Sequence, residues 1–203
     1  MSDKRRIPLH DAEQLAAELV ELLEPACDRI EVAGSIRRRR PDVGDVEIVC
    51  QPRQEPLRDF FGLETGGQIN FVDEACDVML SDSTLAKRLD ANGRPRWGSR
   101  YKAAIFQGFA VDLFCVLPPA QFGTIFVIRT GPAAFSHRLV TARRDGGWMP
   151  DWLSEKDGHL RHRDGTPLVT PNEEDVFQAL GLPFVEPQDR TDSWRPARVG
   201  AAW

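Results

Sequence analysis

Two acidic residues, Asp45 and Glu47, are separated by a single apolar residue in a segment that continues as Ile48-Val49. The apolar pattern predicts a strand over residues 44–50. In a strand, the side chains at positions i and i+2 lie on the same face, so both carboxylates should project side by side. Two like charges this close repel each other and raise each other's pKa, and a bound divalent cation removes that cost. The pattern predicts a metal site.

A glycine-serine pair, Gly34-Ser35, and four consecutive arginines at residues 37–40 precede these carboxylates. A turn with a hydroxyl group and guanidinium groups can bind phosphate. Carboxylates that hold metal next to such a turn predict phosphoryl transfer. Each part alone has an ordinary explanation: a solvated strand edge, a turn, or an exposed basic loop. Their joint order and spacing favour the chemical interpretation.

A third carboxylate, Asp112, interrupts the apolar segment 109–117. Burial of an unpaired carboxylate would be costly, so Asp112 should be paired, protonated or bound to metal. Two interpretations stay open from the residues alone. One is a buried salt bridge. The other is that Asp112 completes a three-carboxylate site with Asp45 and Glu47.

The elements that position these residues follow from hydrophobic periodicity and turn signals. In the first part, the sequence predicts a helix over 8–24, strands over 29–33 and 44–50, and a hairpin over 101–107 and 109–117. Residues 51–98 give a mixed signal, which we interpret as a short helix at 57–61, strand fragments at 69–72 and 78–80, and a loop over 81–98. After a break near 117–121, the sequence predicts helices over 120–128, 133–144 and 170–180 and a hairpin over 159–169 that turns at Asp164-Gly165. The fold class is α+β, with a mixed or antiparallel sheet followed by a smaller lobe.

Composition restricts the class of protein to which this chain can belong. The chain has 203 residues, of which 41% are hydrophobic, and a net charge of -5, which is unusual for a protein that mainly grips nucleic acid. The sequence contains no apolar stretch near the ~20 residues of a membrane span and no apolar signal core at its start, which predicts a cytoplasmic protein without membrane contact. The four cysteines form no C-x-x-C pair, so a zinc site is not expected, and Cys50 and Cys115 are interpreted as small core residues.

The order of the motifs resembles that of the family X DNA polymerases, which belong to the nucleotidyltransferase superfamily. The motifs are Gly34-Ser35, the arginines, Gly44-Asp45-Val46-Glu47, Val111-Asp112-Leu113, Thr130-Gly131 and Glu186-Pro187-Gln188-Asp189-Arg190. The resemblance extends over nearly the whole chain and implies the minimal palm-plus-thumb type. It implies a nucleotidyltransferase palm over residues 1–118, a small α/β thumb over 119–190 and a tail over 191–203.

The resemblance also implies roles for individual residues. Asp45 and Glu47 would bridge two metal ions, Mg²⁺ or Mn²⁺, and Asp112 would hold the catalytic ion and accept the proton of the primer 3′-hydroxyl. The triphosphate would be bound by Gly34, Ser35, Arg38 and Gly44. Thr130 and Gly131 would line the sugar pocket, followed by a cis Gly131–Pro132 peptide bond. The expected DNA contacts are Arg138, Arg143 and Arg144, which the sequence places on one helix.

These roles imply a small DNA polymerase that uses nucleoside triphosphates to extend a primer in gap filling or repair, on primer-template or gapped DNA. Two differences from the family pattern stand out: Glu47 replaces the usual aspartate, and Ala110 stands where a basic residue often precedes the third aspartate. A nucleotidyltransferase that acts on a small molecule or protein without a template remains an alternative. A non-catalytic nucleic-acid-binding module is a third. The sequence does not indicate an oligomeric state.

Overall fold

The computed structural model describes residues 5–197. The remainder of the predicted tail, 198–203, and the first four residues lie outside the described residues. The chain forms two compact units. The first comprises the described residues up to Val32 together with Asp42–Leu117, and the second comprises Ala33–Pro41 together with the described residues from Pro118 onward. The α+β fold class is confirmed, and the inclusion of Ala33–Pro41 in the second unit was not expected from the sequence.

Eleven strands are defined in the described residues. They are β1 Ile7–Pro8, β2 Cys27–Val32, β3 Asp42–Val43, β4 Val46–Pro52, β5 Gln54–Arg58, β6 Glu64–Asn70, β7 Leu85–Lys87, β8 Tyr101–Phe106, β9 Phe109–Cys115, β10 Leu153–Lys156 and β11 His159–His162. The first unit contains a five-stranded sheet of order β2-β4-β9-β8-β7. Strands β4 and β9 are parallel, and the other neighbouring pairs are antiparallel. The predicted hairpin of β8 and β9 is confirmed.

Six α-helices accompany the strands within the described residues. They are α1 Leu9–Leu23, α2 Gly34–Arg37, α3 Phe71–Ser81, α4 Phe122–Thr130, α5 Ala133–Val140 and α6 Glu173–Leu180. Helix α1 packs against β2 and β4 through one buried stripe, because its apolar residues recur at helical spacing. The stripe consists of Ala12, Ala16, Leu19 and Leu23. None of the helices in the described range is long and apolar enough to cross a membrane.

The region between β4 and β8 is where the sequence-based prediction was mostly wrong. Residues 57–61 are not a helix but the end of β5 and the turn that leads to β6. Residues 78–80 are not a strand but part of α3, and β7 lies inside the predicted loop. The side chain of Asn70 caps α3 by accepting hydrogen bonds from the backbone N–H groups of Val72 and Asp73, at 3.0 and 3.3 Å. This N-cap favours a helix over the strand propensity of the valines that follow.

In the second unit, the hairpin forms about an earlier turn in the sequence than the one predicted. Strands β10 and β11 turn at Asp157-Gly158, not at Asp164-Gly165. The second turn still closes, with the His162 N–H donating to the Thr166 carbonyl at 2.9 Å, but the pairing beyond it is an isolated bridge at Pro167. Proline has no N–H to donate to a ladder, which explains why a regular strand does not follow.

Two helix boundaries in the second unit also differ from the sequence-based prediction. Helix α5 ends at Val140, so Arg143 and Arg144 lie in a separate 3₁₀ turn, Arg143–Asp145, and not on the helix of Arg138. Helix α6 begins at Glu173 with Asn172 as N-cap and Asp175 completing the capping box, so Thr170 is not its first residue. The hydroxyl of Thr170 instead hydrogen-bonds that of Thr124 at 2.9 Å, which ties the start of α6 to α4.

Candidate active site

The sheet of the first unit brings two of the predicted catalytic carboxylates together. Glu47 on β4 and Asp112 on β9 are register partners in the parallel pair. Neighbouring strands lie about 4.8 Å apart, so these two side chains emerge side by side from the same face. Both residues are half-buried, whereas the flanking Val46, Ile48 and Val111 are buried. The two carboxylates therefore lie on the same face of the sheet, where the next residues along the strands, Val49 and Phe114, are buried.

Asp45 is placed differently from the expectation. Strand β4 begins at Val46, so Gly44 and Asp45 lie in the short connection before it, and the strand pleat does not fix the direction of the Asp45 side chain. Over residues 5–197, no group of three or more His, Cys, Asp or Glu side chains is arranged so that it could hold a metal ion. Convergence of Asp45 with Glu47 and Asp112 on one ion stays a prediction.

The Asp112 carboxylate contacts two residues that the sequence analysis did not identify. Its Oδ1 atom accepts hydrogen bonds from the guanidinium of Arg88 and from the hydroxyl of Tyr101. Burial and the hydrogen bond to Asp112 raise the pKa of Tyr101. The side chains of Asp112 and Arg88 are 15% and 28% exposed. The salt bridge that the sequence left as an alternative is present, although it is only partly buried.

Arg88 follows β7 directly, and its backbone N–H donates to the carbonyl of Ala103 at 2.9 Å. That bond fixes the residue to β8, and Ala103 is the register partner of Asp112. The resemblance implies a basic residue two positions before Asp112, where this chain has Ala110, and Arg88 is a basic residue next to another strand that contacts Asp112.

The second unit contains the predicted phosphate-binding turn. Gly34 is buried and has a φ of 62°, a left-handed conformation that glycine adopts without strain. It opens the single turn of α2, which also contains Ser35. The hydroxyl oxygen of Ser35 is buried and has no hydrogen-bond partner within the described chain. A buried hydroxyl without a partner is costly, and a phosphate oxygen could accept its hydrogen bond.

Two predicted nucleotide-binding motifs that are distant in sequence meet in this unit. Arg38 donates to the carbonyl of Thr130 at 2.6 Å, and Arg37 donates to the Thr130 hydroxyl at 2.9 Å. Thr130 is fully buried, so its hydroxyl here holds an arginine. Gly131 is required for close packing, because an added Cβ would lie 2.6 Å from the Ser136 Oγ. Gly34, Ser35, Arg38, Thr130 and Gly131 thus belong to the second unit, and Gly44 and the carboxylates belong to the first.

The predicted cis bond between Gly131 and Pro132 is wrong. The cis peptide bond in the described residues joins Pro118 and Pro119. The backbone of Gly131 and Pro132 is extended, with ψ values of 155° and 157°, and the chain passes from α4 to α5 through these two extended residues without a cis bond.

A buried charge network, absent from the sequence analysis, lies beside these motifs. Glu173 accepts two hydrogen bonds from Arg190, at 2.7 and 3.1 Å, and pairs with Arg37 at 2.7 Å. The side chains of Glu173 and Arg190 are 3% and 0% exposed. Burial acts to raise the pKa of Glu173, but the hydrogen bonds from Arg190 and Arg37 outweigh it and lower the pKa overall. Arg190 is the last residue of the Glu186–Arg190 motif. The sequence analysis identified this motif but not Glu173, the residue to which Arg190 binds.

The three arginines predicted to contact DNA have different environments. Arg138 donates to the carbonyl of Asp192 at 2.9 Å. Arg143 donates to the carbonyls of Trp148 and Leu180, at 3.1 and 2.9 Å. Arg144 is exposed and pairs with Asp145 at 3.6 Å. DNA contact by these residues stays a prediction, and Arg143 has a structural role in addition.

Comparison with known proteins shows which proteins this chain resembles. The family model of the DNA polymerase beta thumb matches residues 127–191. The DNA polymerase lambda of Rattus norvegicus is 25% identical over 166 residues, which is 77% of this chain and 28% of that polymerase. The chain therefore spans less than a third of the length of this relative. These similarities support a DNA polymerase-like nucleotidyltransferase. The predicted resemblance to the family X polymerases is supported by both similarities.

Proposed function

We propose that this protein is a DNA polymerase that adds nucleotides to a primer 3′-hydroxyl in gap filling or repair, with two Mg²⁺ or Mn²⁺ ions. The observation that carries the proposal is the register pairing of Glu47 with Asp112 on adjacent parallel strands. The thumb match at residues 127–191 supports a nucleic-acid substrate. Nucleoside triphosphate and primer-template or gapped DNA would be its partners, and the cytoplasm its location.

The donor types fit the expected ions. Asp45, Glu47 and Asp112 offer only carboxylate oxygens, which are the ligands that Mg²⁺ and Mn²⁺ prefer. These three residues would hold the ions. When bound, the ions supply activation of the attacking hydroxyl and neutralisation of the triphosphate charge.

Asp112 would act as the proton acceptor. Arg88 and Tyr101 both bind its Oδ1 atom, which fixes the orientation of the carboxylate. Its second oxygen, Oδ2, would then accept the proton of the primer hydroxyl. A positioned carboxylate of this kind contributes general-base catalysis only if it lies within hydrogen-bond reach of that hydroxyl.

The predicted nucleotide-binding residues would contact the triphosphate and the sugar. The buried hydroxyl of Ser35 would donate to a phosphate oxygen, with Gly34, Arg38 and Gly44 as further contacts to the triphosphate. Thr130 and Gly131 would line the sugar pocket. The DNA backbone would be contacted by Arg138, Arg143 and Arg144. Because the contacts are few, we expect a weak affinity for DNA that decreases as the salt concentration rises.

The test is primer extension on gapped and ungapped DNA at low salt, with Mg²⁺ or Mn²⁺ and with deoxy- or ribonucleotides. Asp112→Asn should abolish extension. Asp77→Asn, on the exposed face of α3, is the matched control and should extend normally. Circular dichroism and urea unfolding of both variants would show that the fold is retained. Normal extension by Asp112→Asn would contradict the assignment.

A transferase that acts on a small molecule or protein is the second candidate. The net charge of -5 favours it, because a nucleic-acid-binding protein is usually basic. Metal-dependent binding of a triphosphate without extension on any DNA substrate would favour this candidate over the polymerase.

A further inference from the structure

The segment that connects β7 to β8 in the first unit carries a high density of positive charge. Residues 87–102 contain six lysines or arginines and one acidic residue, Asp90, so the segment has a net charge of +5 in a chain whose total is -5. The sequence analysis interpreted most of this segment as a loop and assigned it no role. Residues 88–100, which lie between the two strands, are called the β7–β8 loop below. Such a concentration of charge in an acidic protein indicates a surface for a negatively charged partner.

Two of the six positive charges are paired inside the first unit. Arg88 binds the Asp112 carboxylate. The buried Lys102 pairs with Asp73 at 2.5 Å and donates to the Gly98 carbonyl at 2.9 Å, which attaches the loop to β8. The other four basic residues are exposed, and they are Lys87, Arg94, Arg96 and Arg100. Positive charge therefore dominates the solvent-facing side of this segment.

The one acidic residue of the loop has a structural role. The Asp90 carboxylate accepts hydrogen bonds from the backbone N–H groups of Arg94 and Asn92, at 3.0 and 2.8 Å. The Asp90 N–H donates in turn to the Arg94 carbonyl at 2.8 Å, and Leu89 pairs with Pro95 in an antiparallel bridge. The tip of the loop is thus closed by its own hydrogen bonds. Arg94 extends from an ordered backbone, so less conformational entropy is lost when it binds a partner.

The base of the loop is fixed next to the candidate catalytic carboxylate. The carbonyl of Arg96 accepts a hydrogen bond from the Ala103 N–H at 2.8 Å, and Ala103 is the register partner of Asp112. The guanidinium carbon of Arg96 lies 4.8 Å from the centroid of the Tyr101 ring, and the hydroxyl of Tyr101 binds Asp112. A DNA strand whose 3′-hydroxyl reaches Asp112 would therefore have its neighbouring phosphates beside this loop.

We propose that the β7–β8 loop binds the phosphate backbone of DNA at the candidate active site, with Arg94 and Arg96 as the contacts. The inference rests on the proposed function, because it takes DNA as the substrate of the same site. Guanidinium groups bind phosphate oxygens through charge-assisted hydrogen bonds. Contacts to phosphate position a strand without reading its sequence, so the loop should bind DNA of any sequence. A nucleoside triphosphate offers the same phosphate chemistry, and both ligands are therefore measured in the test.

The test measures the affinity of the full chain for a fluorescently labelled gapped DNA by anisotropy, without metal or nucleotide, at several salt concentrations. The logarithm of the affinity decreases linearly with the logarithm of the salt concentration, by a slope of about 0.7–0.9 for each phosphate contact. The double variant Arg94→Ala, Arg96→Ala should bind DNA more weakly at low salt, and its slope should be smaller by about 1.4–1.8. The double variant Arg94→Lys, Arg96→Lys keeps both charges and should retain most of the wild-type slope.

A matched control removes the same charge elsewhere in the first unit. Arg53 and Arg58, which precede and end β5, are both exposed. The double variant Arg53→Ala, Arg58→Ala should keep the wild-type slope. Urea unfolding of all three double variants would show that the fold is retained. Binding of a nucleoside triphosphate with Mg²⁺, measured by calorimetry, should be the same in the wild type and in Arg94→Ala, Arg96→Ala.

Several results would overturn the inference. They are a wild type that does not bind DNA at low salt, an unchanged slope in Arg94→Ala, Arg96→Ala, an equal decrease in the control, and a loss of triphosphate binding with DNA binding unchanged. Primer extension separates this inference from the proposed function. DNA binding that depends on the loop, without extension, would contradict the polymerase and leave the inference standing. Extension by the wild type, with an unchanged slope in Arg94→Ala, Arg96→Ala, would contradict the inference alone.

Discussion

Asp112 and Glu173 are both held by arginine, yet their environments differ. Glu173 in the second unit is 3% exposed, and Arg37 and Arg190 bind both of its oxygens. Asp112 in the first unit is 15% exposed, and its partners Arg88 and Tyr101 both bind Oδ1. Arginines bind both oxygens of the Glu173 carboxylate, whereas the Asp112 carboxylate is held through one oxygen only.

The difference separates a structural charge from one that can react. Both oxygens of the Glu173 carboxylate are bound by arginines, and removing the carboxylate would leave the buried Arg190 and the partly exposed Arg37 without it. A carboxylate held through one oxygen has a fixed orientation and can still bind a metal or a proton through the other. The pair Arg58–Glu64, with side chains 58% and 57% exposed, provides a reference in which both partners are largely exposed to solvent.

The largest expected effect on stability comes from Glu173→Gln. Loss of the negative charge leaves Arg190 buried and uncompensated, so the free energy of unfolding should fall by about 3–5 kcal/mol. Urea unfolding at neutral pH measures it. Glu64→Gln, in the exposed pair, is the control and should cost less than about 1 kcal/mol. Equal small losses in the two variants would show that the buried network does not stabilise the fold.

Arg88→Ala should affect function more than stability. A residue that positions a metal-binding carboxylate typically contributes about 10–100-fold in metal affinity or activity. We therefore expect Mn²⁺ affinity, measured by electron paramagnetic resonance, and primer extension to decrease by that factor. The loss of unfolding free energy should be smaller than that of Glu173→Gln.

A second substitution sharpens this test. Ala110→Arg, added to Arg88→Ala, places a basic residue two positions before Asp112 on the same strand face and should restore part of the Mn²⁺ affinity. Arg88→Lys keeps the charge and should lose less than Arg88→Ala. If Mn²⁺ binding is unchanged in Arg88→Ala, the arginine does not position the carboxylate.

The pH dependence of the free energy of unfolding should also distinguish the wild type from Glu173→Gln. The pKa of Glu173 is lower in the folded chain than in the unfolded chain, so the unfolded chain binds the proton more readily as pH falls. The stabilisation is complete above the unfolded pKa of about 4.3 and is lost as pH falls through the folded pKa. The stability difference between the wild type and Glu173→Gln should therefore narrow below about pH 5. A constant difference down to acid unfolding would refute the assignment.

Tyr101→Phe should have the smallest effect. It removes one hydrogen bond to the Asp112 carboxylate and keeps the ring that packs against Phe114. We expect a loss of about 1 kcal/mol in unfolding free energy and a smaller decrease in Mn²⁺ affinity than in Arg88→Ala. A decrease larger than that of Arg88→Ala would make the tyrosine the main positioning residue.

Local patterns were sufficient for part of the fold. The isolated aspartate in an apolar run identified Asp112 on a strand, and the turn between residues 107 and 109 identified the hairpin of β8 and β9. Local signals failed where two candidates were equal. Asp157-Gly158 and Asp164-Gly165 have the same turn chemistry, and the regular ladder forms about the first, with Pro167 limiting the pairing beyond the second. Likewise, the valines of 71–81 favour a strand until the Asn70 cap is formed.

The sequence by itself determined which residue types could do chemistry and on which face of a strand Glu47 and Asp112 lie, because strand alternation is a local property. Only the tertiary structure decided their partners. The parallel pairing of β4 with β9 sets Glu47 beside Asp112 and Cys50 beside Cys115 in one register. The pairing of β4 with β9 joins segments that are far apart in the chain. It therefore depends on which surfaces are buried together, and the residue spacing within either strand does not determine it.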